Sequence, residues 1–148
     1  MEFELTAVIN RSLEEVFAFF RDMDQHAGRE GTIVPIYDKI TPGPVGVGTR
    51  YREVVQVLPF VTGEILSEVV LYEPDRRLAY RYVALGMAGE LTYSFEAVEE
   101  GTRMVQRQSL CPSGFLRLFS PVIGAMFSRM IERRLLGIKG LLESGTLG

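Results

Sequence analysis

Residues 120–144 read SPVIGAMFSRMIERRLLGIKGLLES. Ser120 before Pro121 has the pattern of a helix N-cap followed by proline at the first helical position. At 3.6 residues per turn, Ile123, Phe127, Met130, Ile131, Ile138, Leu141 and Leu142 share one broad face, with Arg129, Glu132, Lys139 and Glu143 opposite. A helix of about 23 residues is about 34 Å long, enough to cover one face of a sheet. One residue breaks the pattern. Arg134 lies near the middle of the apolar face, beside Gly137, where a leucine is expected.

Working outward, almost everything before this helix reads as strand and turn. Residues 3–9 (FELTAVI) alternate and then turn apolar, which predicts a strand. Ser12-Leu13-Glu14-Glu15 is a capping box, and Leu13, Val16, Phe17 and Phe20 follow at helical spacing, so a short helix ends near Arg21. Residues 22–31 are polar and read as a loop or one extra helical turn. Strands are then predicted at 34–41, 49–57, 64–72, 77–84, 90–98 and 102–110. The turns between them are marked by the Pro/Gly run 42–48, by Pro59 and Gly63, by Glu73-Pro74-Asp75-Arg76, by Gly86 and Gly89, and by Glu99-Glu100-Gly101. Phe115, Leu116, Leu118 and Phe119 lead into the long helix and read as packed against the core, the alternatives being a lid or a dimer patch. The order is strand, short helix, about six antiparallel strands, long helix. That is an α+β chain with a curved antiparallel sheet of about seven strands and one covering helix.

Composition sets the class. The chain has 148 residues, 47% hydrophobic and 24% charged, with a net charge of −3. One domain spanning 1–148 is the simplest division. The acidic balance gives no electrostatic reason to expect nucleic acid or an anionic membrane as a partner. The longest apolar runs are too short for a bilayer, and the N-terminus has no signal-peptide pattern, so no transmembrane segment and a cytoplasmic location are expected. Cys111 is the one cysteine, which excludes an internal disulfide and a cysteine metal cluster; it reads as a small packed residue. Neither a metal nor a cofactor is expected, and the oligomeric expectation is a monomer or homodimer.

This order, together with VINRSLEEVFAFFRDMD (8–24), EVVLYEPDRRLAYRY (68–82), LTYSFEAVEEGTRM (91–104) and RRLLGIKGLLES (133–144), resembles the START-like helix-grip superfamily, and within it the polyketide cyclase/dehydrase and lipid-transport group. The resemblance covers nearly the whole chain. Many members carry a tryptophan after the first helix; this chain has none. The resemblance implies a deep cavity between sheet and C-terminal helix that takes hydrophobic small molecules such as a lipid, an isoprenoid or an aromatic polyketide.

Strand alternation and the helix face nominate Tyr51, Glu53, Val55, Tyr80, Tyr82, Tyr93, Phe95, Met104, Phe127, Met130 and Arg134 as lining residues, with core packing as the plainer reading of any single aromatic. Gln106 and Gln108 share phase with Met104: in regular register they point inward, and after a bulge they face solvent. Glu53 and Arg134 are charges at apolar positions, which is costly unless they are paired. They form an ion pair, or Arg134 anchors an acidic ligand, or it snorkels to water.

Catalytic motifs are absent: the chain has no H-E-x-x-H, no G-x-S-x-G and no phosphate-cradling loop, and 43–48 reads as a turn. The weak candidates for acid/base work are Glu53, Arg134 and His26, the last read as a loop residue. Three functions remain: a carrier or sensor of a hydrophobic molecule, a cofactor-free cyclase, aromatase or dehydratase, and an interaction module with a vestigial cavity.

Overall fold

The computed structural model describes residues 1–26, 36–58 and 61–144, with backbone only at 36 and 56–58. The elements are β1 (Glu2–Ile9), α1 (Leu13–Arg21), a 3-10 turn (Met23–Gln25), β2 (Ile36–Lys39), β3 (Arg50–Leu58), β4 (Val61–Glu73), β5 (Arg77–Ala84), β6 (Met87–Val98), β7 (Gly101–Cys111), a 3-10 segment (Gly114–Phe119) and α2 (Ser120–Ser144). The seven strands form one antiparallel sheet in the order β1-β7-β6-β5-β4-β3-β2. α2 lies against one face of it through Phe127, Ile131, Leu135, Ile138 and Leu142. This is the helix-grip arrangement expected from the element order. The predicted strand start at Val34, the Pro59 turn and residues 27–31 of the polar loop lie outside the described residues.

α1 begins as its capping box requires. The Glu15 amide donates to Ser12 Oγ at 3.3 Å, while the Glu15 carboxylate faces Arg11 at 3.9 Å instead of closing the box. The helix buries Val16, Phe17, Phe19 and Phe20, and Phe17 meets Tyr72 and Phe95 edge-on. Tyr72 reaches it because β4 carries a bulge between Val69 and Leu71, which reverses the inward phase along that strand.

The C-terminal end of α2 is tied down. The Asn10 amide donates to Glu143 Oε2 and Arg11 Nη2 donates to the Glu143 carbonyl, both at 2.9 Å. The connection that carries them is itself held to β7 by Thr102 Oγ1 donating to the Arg11 carbonyl at 2.9 Å.

Several sequence expectations are corrected. Ser120 is not an N-cap: its backbone is already helical (φ −47°, ψ −44°), and its hydroxyl donates back to the Arg117 carbonyl at 2.8 Å. The 3-10 segment continues directly into α2, so its turn precedes the amides that a cap would serve. Gly63 and Gly89 are not bends but interior strand residues, paired with Val55 and with Tyr82 and Leu110. Cys111 is exposed rather than packed, because β7 ends there. Of the cluster before α2, Leu116 alone packs inward, and Phe115, Leu118 and Phe119 are exposed. By length and composition, 114–144 is a helix long and apolar enough to cross a membrane, where apolar run length implied none. Five of its side chains are buried against the sheet, while 11% of its most apolar window is buried.

Candidate functional site

A cavity of about 60 Å³ lies between α2 and the sheet. Strand alternation points Glu53, Ile65, Ser67, Tyr80, Tyr82, Leu91, Tyr93, Gln106 and Gln108 into it from five neighbouring strands. α2 contributes Phe127, Met130, Ile131 and Arg134, and Phe20, Met23 and Tyr37 complete the wall. Ser67 stands between Tyr51 and Tyr82 in the register, so a small side chain sits where a large one would fill the space.

One pole of the cavity is charged. Arg134 Nη1 donates to Glu53 Oε1 at 2.7 Å, and the two side chains are 20% and 8% exposed. The second arm of the guanidinium lies 3.2 Å from Met23 Sδ, and its carbon sits 5.8 Å from the centre of the Tyr37 ring. Arg134 Nε is buried without a partner. Burial, the largest single influence, lowers the pKa of Arg134, but the charge and hydrogen bond of Glu53 together with Tyr93 and Tyr37 outweigh it and hold the group above the ordinary arginine value. Burial pushes the Tyr37, Tyr80 and Tyr93 hydroxyls above the usual tyrosine range; Glu53 adds to this at Tyr37 and Tyr93, and Arg134 opposes it at all three. These phenols stay protonated at neutral pH.

The other pole is neutral and has a forced direction. Tyr82 Oη donates to the Ser109 carbonyl at 2.7 Å, and a carbonyl can only accept. Gln108 therefore presents its NH₂ to Tyr82 Oη, at 2.9 Å. Its Oε1 is then left to accept from Gln106 Nε2, at 3.0 Å. One backbone carbonyl thus fixes both amide orientations and leaves Gln106 Oε1 as the acceptor at the end of the chain, beside the cavity. Gly89 makes the arrangement possible: a Cβ there would collide with the Ser109 carbonyl and with Tyr82 Cζ and Oη. Burial raises the Tyr82 hydroxyl to about 12, the hydrogen bond from Gln108 acting against it.

The structure brings nine of the nominated residues to the cavity: Glu53, Tyr80, Tyr82, Tyr93, Gln106, Gln108, Phe127, Met130 and Arg134. β7 pairs with β6 without a bulge, so both glutamines point inward. Of the three readings given for Glu53 and Arg134, the ion pair is the one observed. Tyr51, Phe95 and Met104 are core residues behind the wall, and Val55 is half-buried opposite Gly63. His26 stacks flat on Phe19 at 4.5 Å, away from the cavity lining. The residues missed were Phe20, Met23, Tyr37, Ile65, Ser67, Leu91 and Ile131. Tyr37 had a signal, as the aromatic before Asp38-Lys39 on a short edge strand. Ser67 had none, because its value lies in the bulk it lacks. Among the described residues, no group of three His, Cys, Asp or Glu side chains is placed to hold a metal ion.

Solved structures share this architecture. TTHA0849 from Thermus thermophilus superposes with a TM-score of 0.78 at 18% identity, over 99% of each chain. The Zhui aromatase/cyclase from Streptomyces sp. R1128 gives 0.79 at 15% identity, over 97% of this chain and 93% of that one. Ara h 8.0201 gives 0.75 at 14%, over 98% and 99%. At these identities the likeness is one of fold. No curated protein matches the chain by sequence. A family model described as polyketide cyclase / dehydrase and lipid transport matches residues 1–143. The chain therefore belongs to the polyketide cyclase/dehydrase and lipid transport family.

Proposed function

We propose that the protein binds a hydrophobic small molecule carrying a hydrogen-bond donor, such as a phenol or alcohol, in the cavity under α2. The observation that carries this reading is that polar groups at the cavity have no protein partner. No hydrogen bond among the described residues engages Gln106 Oε1 or the hydroxyls of Tyr37, Tyr80 and Tyr93. These groups open onto the cavity rather than into packed protein, so they are free to pair with a guest or with water, whereas a vestigial, filled core would be built from apolar side chains. A ligand hydroxyl would donate to Gln106 Oε1 while its ring packs on Leu91, Phe127 and Ile131. The cavity as it stands has room for about two waters, so entry requires Met23 and Met130, the unbranched apolar side chains of the lining, to move.

Proton-transfer chemistry has less support. The cavity tyrosines are held in their neutral form, and the carboxylate at the cavity is engaged by Arg134. A carrier or sensor is therefore favoured over a cyclase. The test uses two probes, 2-naphthol and 2-methoxynaphthalene, followed by their own fluorescence in a chain without tryptophan. The naphthol is expected to bind about fivefold tighter, the worth of one neutral hydrogen bond, and Gln106→Leu to erase the difference. Equal affinity for both probes would refute the donor reading. Absence of binding by either, with no apolar mass co-purifying in native mass spectrometry, would refute ligand binding itself.

A further inference from the structure

At one end of the molecule two stretches are nearly free of charged side chains, bordered by the Met1 ammonium, which donates to the Leu110 carbonyl, and by Glu2 and Glu90, both paired with Ser109. Residues 83–89, around the β5–β6 turn, and residues 109–128, which enter α2, hold a single charged side chain between them, Arg117, in a chain that is 24% charged. The Ser113 hydroxyl donates to the Gly86 carbonyl at 3.1 Å, which joins the two stretches.

The apolar side chains at this end face outward. Phe115 is 73% exposed and Leu118 81%, and Phe119, Val122 and Met126 continue the strip at helical spacing. Leu116, Ile123 and Phe127, on the other side, satisfy the core, so the outward strip is not needed for packing.

The hairpin tip adds an independent observation. Leu85 sits at φ +54° before Gly86 at φ +77°, a turn that favours Asn-Gly or Gly-Gly. A leucine there is strained and also 39% exposed, so neither turn geometry nor burial accounts for it.

We infer that this end of the molecule docks on the surface of an anionic lipid bilayer, with Phe115, Leu118, Phe119 and Leu85 entering the headgroup–acyl boundary and Arg117 and Arg129 meeting the headgroups. The charge pattern decides the occupant. From Cys111 to Ile131 the charged residues are Arg117 and Arg129 and none is acidic, although the whole chain carries −3. A positive segment with large apolar side chains matches an anionic interface, whereas a symmetric contact between two copies would set like charges together. The docked segment runs directly into the part of α2 that roofs the cavity. The inference does not depend on the cavity being occupied.

The test uses the whole protein and vesicles of phosphatidylcholine, either pure or with 30 mol% phosphatidylserine. Leu118→Trp supplies the sole tryptophan. On the anionic vesicles its emission is expected to shift to the blue and to be quenched by lipids brominated on their acyl chains. In co-sedimentation, Phe115→Ser and Leu118→Ser should each weaken partitioning about tenfold. Arg117→Glu should weaken it at least about fivefold, on anionic vesicles alone. All three positions are exposed, so circular dichroism should be unchanged. No partitioning and no emission shift would overturn the inference. An emission shift that rises with protein concentration without lipid, and that Phe115→Ser removes, would overturn it in favour of a second copy of the chain.

Discussion

Glu53→Gln tests what holds the middle of α2 to the sheet. The substitution keeps the shape and the capacity to accept a hydrogen bond but removes the charge that faces Arg134 at 2.7 Å. With charge centres about 4 Å apart and an effective dielectric constant of about 20, the attraction lost is about 4 kcal/mol. Relief of the carboxylate's own desolvation returns part of this. Arg134 is only 20% exposed, so little water replaces the partner, and removing one member of such a pair costs about 3 kcal/mol. For a chain of this size that corresponds to a melting temperature lower by about 10 °C. Glu53→Gln combined with Arg134→Met removes the stranded charge as well and should recover stability to within about 1 kcal/mol of the parent. Urea unfolding of the parent, both single variants and the double variant measures the coupling directly. A Glu53→Gln protein within about 0.5 kcal/mol of the parent would refute the reasoning, because Arg134 would then be reaching water by itself.

Three further outcomes are expected. Gly89→Ala places a methyl group against the Ser109 carbonyl and the Tyr82 ring; it should cost about 2–4 kcal/mol in urea unfolding through overpacking and loss of the Tyr82 hydrogen bond, and a value under about 1 would mean that the strands part freely there. Leu85→Asn relieves a positive-φ leucine at an exposed turn and should raise stability by about 0.5–1 kcal/mol, seen as a higher urea midpoint. The third concerns alkaline pH. Tyr37, Tyr51, Tyr80, Tyr82 and Tyr93 all have hydroxyls raised by burial. The fold therefore keeps protons that the unfolded chain releases above pH ~10. Their stabilisation is complete below that pH and is lost as pH rises through the folded values, at up to about 1.4 kcal/mol per pH unit for each tyrosine. Tyrosinate absorption at 295 nm from these five should appear together with loss of the circular dichroism signal; ionisation well before unfolding would contradict their burial.

Elements whose signal is local were legible in the sequence. Ser12 to Phe20 announced a capped helix because cap and periodicity sit within three turns, and the 120–144 stripe placed Phe127 and Arg134 toward the sheet. The turn at Glu73–Arg76 closes as its residues require, with the Arg76 amide donating to the Glu73 carbonyl at 3.0 Å. What escaped depends on contacts between distant segments. Gly63 and Gly89 read as turn residues, since a glycine needed for close approach looks the same in sequence as one needed for a bend. Phe115, Leu118 and Phe119 read as core because hydrophobicity does not say which side of a helix a neighbour covers. Ser120 before Pro121 has the form of a cap, but the 3-10 turn ahead of it left no terminus to cap. The candidate site was half legible. Alternation supplied the tyrosines and glutamines, but only the β6–β7 register shows that one carbonyl orients them in series.

The tie between Glu143 and the β1–α1 connection gives α2 the mechanics of a lever with its fulcrum at the C-terminal end. At 1.5 Å per residue, Phe127 stands about 24 Å from that fulcrum and Arg134 about 14 Å. A tilt of about 10° would lift Phe127 by about 4 Å and Arg134 by about 2 Å. The gap would open widest at the end of the molecule poor in charge, while the Glu53–Arg134 link, stretched about half as far as Phe127 moves, acts as the spring that draws the arm back.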